Sequence, residues 1–243
     1  MSVLFHASDL HFGAEDQGAL DAFACAVRDS RPDAVVITGD LTMRARHREF
    51  AAAADWLGSL GVPLSIEVGN HDIPFFNLWA RFISPYRRYE QLETAIEQPL
   101  NLVDAAIVPL RTTARAQVRL NWAQGHVKTE RLTTAVAALE AVPEGHVRIV
   151  ACHHPLSDAS GSRTGGRTRG GHAALGMLAA AGADIVLSGH VHDPFDIVWN
   201  DGERSVRMVG AGTLSERVRA TKPSFNRIEI NGGTISVAPQ LLD

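Results

Sequence analysis

Five short motifs concentrate the residues of this chain that could do chemistry: Asp9-Leu10-His11, Gly39-Asp40, Gly69-Asn70-His71-Asp72, His153-His154-Pro155 and Gly189-His190-Val191-His192. Of the 11 histidines, six fall within four of these motifs, an uneven spread that directs attention there. The carboxylates and the amide supply hard oxygen donors, and the imidazoles supply borderline nitrogens. That mixture suits Mn, Fe or Zn better than Ca or Mg and requires no thiolate. Asp9, His11, Asp40, Asn70, His153, His190 and His192 are seven donors, too many for one ion that must also keep a position open for water. They suit two divalent ions that share a carboxylate. Two ions roughly 3.5–4 Å apart can activate water and clamp the oxygens of an in-line phosphoryl displacement. Taken singly, Asp-x-His after a strand is more often a capped helix start and Gly-Asp a common turn. It is the five together, in order, that point to a metal site.

Each motif follows a segment that reads as a strand: Val3–Ala7, Ala34–Thr38, Leu64–Val68, Val147–Cys152 and Asp184–Ser188. Ala19–Arg28, Arg46–Leu60, Thr129–Ala141 and Ala173–Ala181 read as helices. The β-α-β order predicts parallel strands with helices packed on the sheet. The carboxyl ends of parallel strands share an edge where ligands bind, so five segments remote in sequence are expected in one crevice. The glycines before Asp40, Asn70 and His190 allow sharp turns out of the strands. By the same alternation His154 and Cys152 face away from His153, His154 into packing or support and Cys152 as a buried thiol.

The stretch from Ile73 to about Val127 is less regular. It carries Phe75, Phe76, Trp79, Phe82, Tyr86 and Tyr89 among Arg81, Arg87 and Arg88. We read residues 73–127 as a cap insert, with a lid on the same subunit and a contact in a homodimer as the two readings. Phe75, Trp79 and Phe82 at i, i+4 and i+7 would be the packing residues of that cap or contact. Ser160–Gly171, rich in Gly, Ser and Arg, reads as a mobile solvated loop; closure of Arg163, Arg167 and Arg169 over an anionic substrate is the sharper alternative. Arg44, Arg46 and His47 follow Gly39-Asp40-Leu41-Thr42 closely; Arg44 and Arg46 could meet a substrate phosphate or simply form a basic helix start in solvent. The tail from Phe195 to Val237 is strand-rich, with turns at Asn200-Asp201-Gly202 and Asn231-Gly232-Gly233 that suit hairpins.

At 243 residues, with 45% hydrophobic and 21% charged residues, one sizeable domain is expected. The formal net charge of -4 gives no positive field to draw a nucleic-acid polymer or anionic lipid. Cys25 and Cys152 are too few for a disulfide framework. The first residues, Met1–Ala7, lack a basic leader, and no apolar run reaches the length of a membrane span. A cytoplasmic protein is the default expectation.

The ordered set Asp9-x-His11, Gly39-Asp40, Gly69-Asn70-His71-Asp72, His153-x-Pro155 and Gly189-His190-x-His192 resembles the calcineurin-like metallophosphoesterase superfamily. The length and the Gly39-Asp40-Leu41-Thr42 wording are most similar to its bacterial cyclic-nucleotide-type and glycerophosphodiester-type phosphodiesterases. The resemblance implies an α/β fold, a four-layer αββα sandwich of two mixed β-sheets with a dinuclear metal site at the strand C-terminal edge. It implies that Asp9, His11 and His192 bind one ion, that Asn70, His153 and His190 bind the other, and that Asp40 bridges both. His71 would be the general acid or a cationic stabiliser, oriented by Asp72, while a metal-bridging hydroxide attacks a small phosphodiester. A nucleotide-lipid pyrophosphatase or a phosphomonoesterase would use the same metals. A non-catalytic binding scaffold on the same fold would be marked by missing ligands, and none of the seven is missing.

Overall fold

Alternation along the strands decides the layering. In β1 (Ser2–Ala7), Phe5 and Ala7 join one buried cluster while Leu4 joins another; in β2 (Ala34–Ile37), Val35 and Ile37 side with Phe5, and Ala34 and Val36 with Leu4. Period-two burial on both faces makes each sheet a layer that must be covered twice. The computed structural model describes residues 1–75, 77–114, 123–158 and 168–242. Phe76, Arg163 and Arg167, and the part of the Ser160–Gly171 loop up to residue 167, lie outside the described residues.

The first sheet has the order β10-β9-β1-β2-β3, where β3 is Leu64–Ile66, β9 Ser224–Asn231 and β10 Thr234–Leu241. β1, β2 and β3 are parallel; β9 runs antiparallel to β1 and to β10. The second sheet has the order β4-β5-β6-β8-β7, with β4 Ala105–Pro109, β5 Val147–Ala151, β6 Ile185–Ser188, β7 Phe195–Asn200 and β8 Ser205–Gly210. Only β7 in it is antiparallel to its neighbour. Both predicted hairpin turns are present, between β7 and β8 and between β9 and β10.

Helices α1 (Gln17–Ser30), α2 (His47–Ser59) and α4 (Arg87–Ile96) cover the outer face of the first sheet through Leu20, Phe23, Phe50, Leu57, Tyr89 and Leu92. Helices α5 (Thr129–Glu140) and α6 (Gly171–Ala180) cover the second through Leu132, Leu139, Leu175 and Leu178. Between the sheets Leu4, Val36, Ile149, Ile185, Leu187 and Val209 form a third core. The chain is therefore the four-layer αββα sandwich that the motifs led us to expect. Among the described residues no helix is long and apolar enough to cross a membrane.

The segment 73–127 is not one insert. α4 buries Tyr89 and Leu92 in the first core, and β4 pairs in parallel with β5, so both belong to the layers. Among the described residues, what stands off them is α3 (Leu78–Ile83) together with Phe75. Phe75, Trp79 and Phe82 are 58%, 78% and 45% exposed and enter none of the three cores. Six residues make fewer than two helical turns, and the inward position is taken by Arg81, whose Nη1 donates to the Pro74 carbonyl at 3.1 Å.

Glu67, just past β3, is buried at the open side of the sandwich, in a cleft of about 310 Å³ shared with Glu93, Arg111, Glu130 and Arg131. Burial, only partly opposed by Arg111, pushes its carboxyl up to about 8. A carboxyl raised in the folded state favours folding fully below its unfolded value, about 4.3, and that contribution is lost as pH rises through about 8. Glu67→Gln cannot ionise. It should melt with the wild type near pH 5 and roughly 5 °C or more above it near pH 9, as read by thermal denaturation; equal melting at both pH values would contradict this account.

Candidate metal centre

The three motif strands of the first sheet and the two of the second point their carboxyl ends at one another. The turns that follow hold their residues in an uncommon backbone conformation. Asp9, His11, Asp40, His190 and His192 all have positive φ, between 47° and 71°. This left-handed region is sparsely used by residues other than Gly, so these positions retain Asp or His for the side chain and not for the backbone. Two glycines serve close approach. A Cβ on Gly69 would collide with the Asp40 backbone N and Oδ1, and one on Gly189 would collide with Ser8 Oγ and sit 2.6 Å from Asp9 Oδ2.

The seven expected donors converge. His192 Nε2 lies 3.1 Å from Asp9 Oδ1 and 3.3 Å from His11 Nε2, and His11 Nε2 lies 3.6 Å from Asp9 Oδ1. On the other side His153 Nε2 lies 3.1 Å from Asn70 Oδ1, and the His153 and His190 rings are 5.2 Å apart. Asp40 Oδ2 stands between the groups, 3.8 Å from His11 Nε2 and 3.4 Å from His153 Nε2. Donors about 2.0–2.1 Å from a shared ion are roughly 3.0–3.4 Å from each other, so these separations fit metal seats. Asp9 Oδ1 is buried and has no hydrogen-bond partner, whereas Oδ2 accepts the His190 N–H at 2.8 Å. A buried carboxylate oxygen without a donor fits the same purpose.

Backbone carbonyls aim the rings. His153 Nδ1 donates to Thr38 O at 2.7 Å and His192 Nδ1 to Arg217 O at 2.7 Å, which turns each Nε2 lone pair toward the cluster. His154 is different. It is buried near His153 and His190, but Nε2 donates to Ala123 O at 2.8 Å and Nδ1 accepts from the Thr112 hydroxyl at 2.9 Å. Neither nitrogen is left to bind an ion, in line with a supporting role.

Asp72 does not orient His71. Its carboxylate accepts from the backbone N–H groups of Gly69, Leu41 and Thr42 and from the Thr42 hydroxyl, at 2.8–3.2 Å. It thereby ties the Asn70 turn to the Asp40 turn, too far committed to reach the imidazole. His71 is instead held by Met43 O, 2.8 Å from Nδ1, while its backbone N–H donates to Asp40 Oδ1 at 2.8 Å. Arg46 serves the start of α2: its Nε is 3.8 Å from Glu49 Oε1, and buried Glu49 also accepts the Arg44 N–H. Arg44 is exposed one residue past Met43.

One residue of the cluster carried no sequence signal. Arg217, in the turn between β8 and β9, places Nη1 3.1 Å from His71 Nε2 and 3.3 Å from His11 Nε2. It lies 25 positions beyond His192 in no motif, so neither spacing nor residue type could have marked it.

Burial works against charge on Asp9 and Asp40. The rings of His11 and His192 beside Asp9, and of His153, His71 and His11 beside Asp40, nevertheless hold both carboxyls well below the usual range. Burial likewise opposes protonation of His153, but Asp40 raises it to about 9; His190 is pushed down to about 4 by burial and by His153.

The sequence profile of the calcineurin-like phosphoesterases matches residues 3–194, a span that contains every one of the five motifs. The chain belongs to this family. Over 82 residues it is 37% identical to the glycerophosphodiester phosphodiesterase GpdQ of Enterobacter lignolyticus, a match that spans 29% of this chain and 29% of that protein. Among solved structures it superposes on a dimetal phosphatase from Danio rerio with a TM-score of 0.66 at 13% identity, covering 98% of this chain and 95% of that one. It superposes on the phosphopantetheinyl hydrolase of Mycobacterium tuberculosis with a TM-score of 0.55 at 19% identity, covering 87% and 89%. At such identities the likeness is one of fold. The family is metal-dependent and hydrolyses phosphate esters, and the Asp and His clusters found here could hold its ions.

Because a proton on His153 competes with an ion below about pH 9, the apparent affinity for Mn or Zn should rise roughly tenfold per pH unit between pH 6 and 8 and level off above 9. Competition titration with a chelating dye measures this, and a flat profile would remove His153 from the donor set. Asp40→Ala should abolish tight binding of both ions at every pH.

Proposed function

We propose that the chain is a phosphodiesterase that hydrolyses a small phosphodiester. The reading is carried by the position of Asp40 Oδ2 between His11 Nε2 and His153 Nε2, which joins two donor clusters into a seat for two ions. Asp9, His11 and His192 would hold one ion and Asn70, His153 and His190 the second, with Asp40 available to both. When bound, such a pair supplies an acidified water and positive charge for the phosphoryl oxygens.

The protein's own groups do the rest. Asn70 and the Asp40 turn are locked together through Asp72, so Asp72 acts as a positioning residue. His71 presents Nε2 to the site and protonates the leaving oxygen. That nitrogen lies 3.1 Å from Arg217 Nη1, a contact that must open before Nε2 can deliver a proton. Arg44, exposed at the rim beside Met43, is assigned to the rest of the substrate; Arg46, tied to Glu49, contributes less. A diester is favoured by the partial match to a glycerophosphodiester phosphodiesterase, and a small one by the negative net charge. The sparse cysteines support a cytoplasmic setting. A second reading, a nucleotide-lipid pyrophosphatase, is favoured by the exposed apolar run of Phe75, Leu78, Trp79, Phe82 and Ile83, which begins four residues beyond His71.

With added manganese, bis(p-nitrophenyl) phosphate should be cleaved well and p-nitrophenyl phosphate poorly, and Asn70→Ala should lose both activities. His71→Ala should lower kcat on the diester by roughly 10²–10⁴-fold with metal content unchanged. Preference for the monoester would make the protein a phosphatase; failure on both esters with two metals bound would favour the pyrophosphate reading.

A further inference from the structure

Arg217 is held in place by a chain of buried contacts that starts at the metal-site strand itself. Thr213 Oγ1 donates to the Asp9 carbonyl at 2.7 Å and lies 2.7 Å from Ser215 Oγ, which accepts the Arg217 N–H at 3.3 Å. Thr213 and Ser215 are fully buried. The Arg217 carbonyl accepts from His192 Nδ1 at 2.7 Å. The backbone at 217 is thus part of the frame that aims His192, and the half-buried side chain projects from it across His11 and His71.

No carboxylate oxygen among the described residues lies within ion-pair distance of the guanidinium. Among the described residues its contacts fall on Nη1 alone: the two imidazole nitrogens and, at 3.9 Å, Met43 Sδ. Nε and Nη2, whose three N–H groups include the side-on fork that pairs with carboxylate or phosphate, donate to nothing among the described residues. A permanent, unpaired cation next to seats for two more cations is unfavourable unless an anion is shared among them. An imidazole lone pair is a neutral acceptor, and a phosphoryl oxygen is an anionic one whose hydrogen bonds are roughly twice as strong. The anion therefore takes the guanidinium from the rings.

We infer that Arg217 is a substrate-binding residue that grips a nonbridging oxygen of the scissile phosphoryl group from the side of His11 and His71. The inference rests on the phosphoesterase reading of the site and adds to it a third fixed positive group that none of the five motifs contains. Any substitution at 217 leaves the carbonyl that His192 uses, so the side chain can be removed without the metal frame.

The test is to load wild type, Arg217→Lys and Arg217→Ala with manganese, measure metal content by elemental analysis, and titrate each with inorganic phosphate by calorimetry. We expect equal metal content and equal melting temperature, phosphate binding roughly 10- to 100-fold weaker in Arg217→Ala, and partial recovery in Arg217→Lys. On an ester that the wild type cleaves, KM should rise by a similar factor. Unchanged phosphate affinity at full metal content would overturn the inference, as would a loss of metal parallel to the loss of phosphate, which would make Arg217 a support of the metal frame. A wild type that binds phosphate through Arg217 yet cleaves neither test ester would refute the proposed diester substrate while leaving the role of Arg217 intact.

Discussion

The carboxylate of Asp40 stands between imidazoles that belong to different sheets: His11 follows β1 and His153 follows β5. One anionic side chain can serve two ions only if both sheets end at the same height and face each other. The inner core of Leu4, Val36, Ile149, Ile185 and Leu187 sets that spacing, because close-packed side chains resist both compression and voids. A change in the volume of this core would move the two halves of the site relative to one another before it unfolded the chain.

The local geometry carries strain. Five of the seven candidate donors, Asp9, His11, Asp40, His190 and His192, have positive φ, a conformation that costs a non-glycine residue of order 1–3 kcal/mol. They persist because hydrogen bonds over-determine them. Asp9 N donates to Gly39 O and His11 N to Asp40 O, so the first two turns hold one another. Asp72 fastens the third turn to the second, and Gly189 lets the β6 turn lie directly on Ser8 and Asp9. The resulting block leaves each ring little freedom, and the carbonyls of Thr38 and Arg217 decide which nitrogen faces inward.

Electrostatics follow from the same arrangement. Two buried carboxylates, with no lysine or arginine partner among the described residues, are ringed by imidazoles, and burial alone would favour their neutral forms. The imidazoles reverse this for Asp9 and Asp40. Asp72, close to Asp40 and lacking such neighbours, is instead raised to about 6 by burial and by that like charge. The three carboxyls thus differ in their surroundings: Asp9 and Asp40 line the candidate metal seats, and Asp72 braces the backbone.

The five motifs, each after an apolar strand, were enough to indicate the α/β layering and the family and to bring seven candidate donors to one edge, because metal chemistry restricts residue types and parallel strands restrict where their ends can lie. Periodicity also placed α1, α2, α5 and α6 to within a few residues. Other features depended on packing across long sequence separations. That α4 and β4 join the sandwich while Phe75, Trp79 and Phe82 remain outside it was decided by which elements found a sheet edge or face to cover. Asp72 turned from His71 to the backbone because four N–H and O–H donors converge on it only after the Asp40 and Asn70 turns meet. Arg217 entered the site because Thr213, from the far end of the chain, binds the Asp9 carbonyl just past β1, and Ser215 links Thr213 to the Arg217 N–H. No pattern along the sequence encodes that contact; it exists only where the two sheets close.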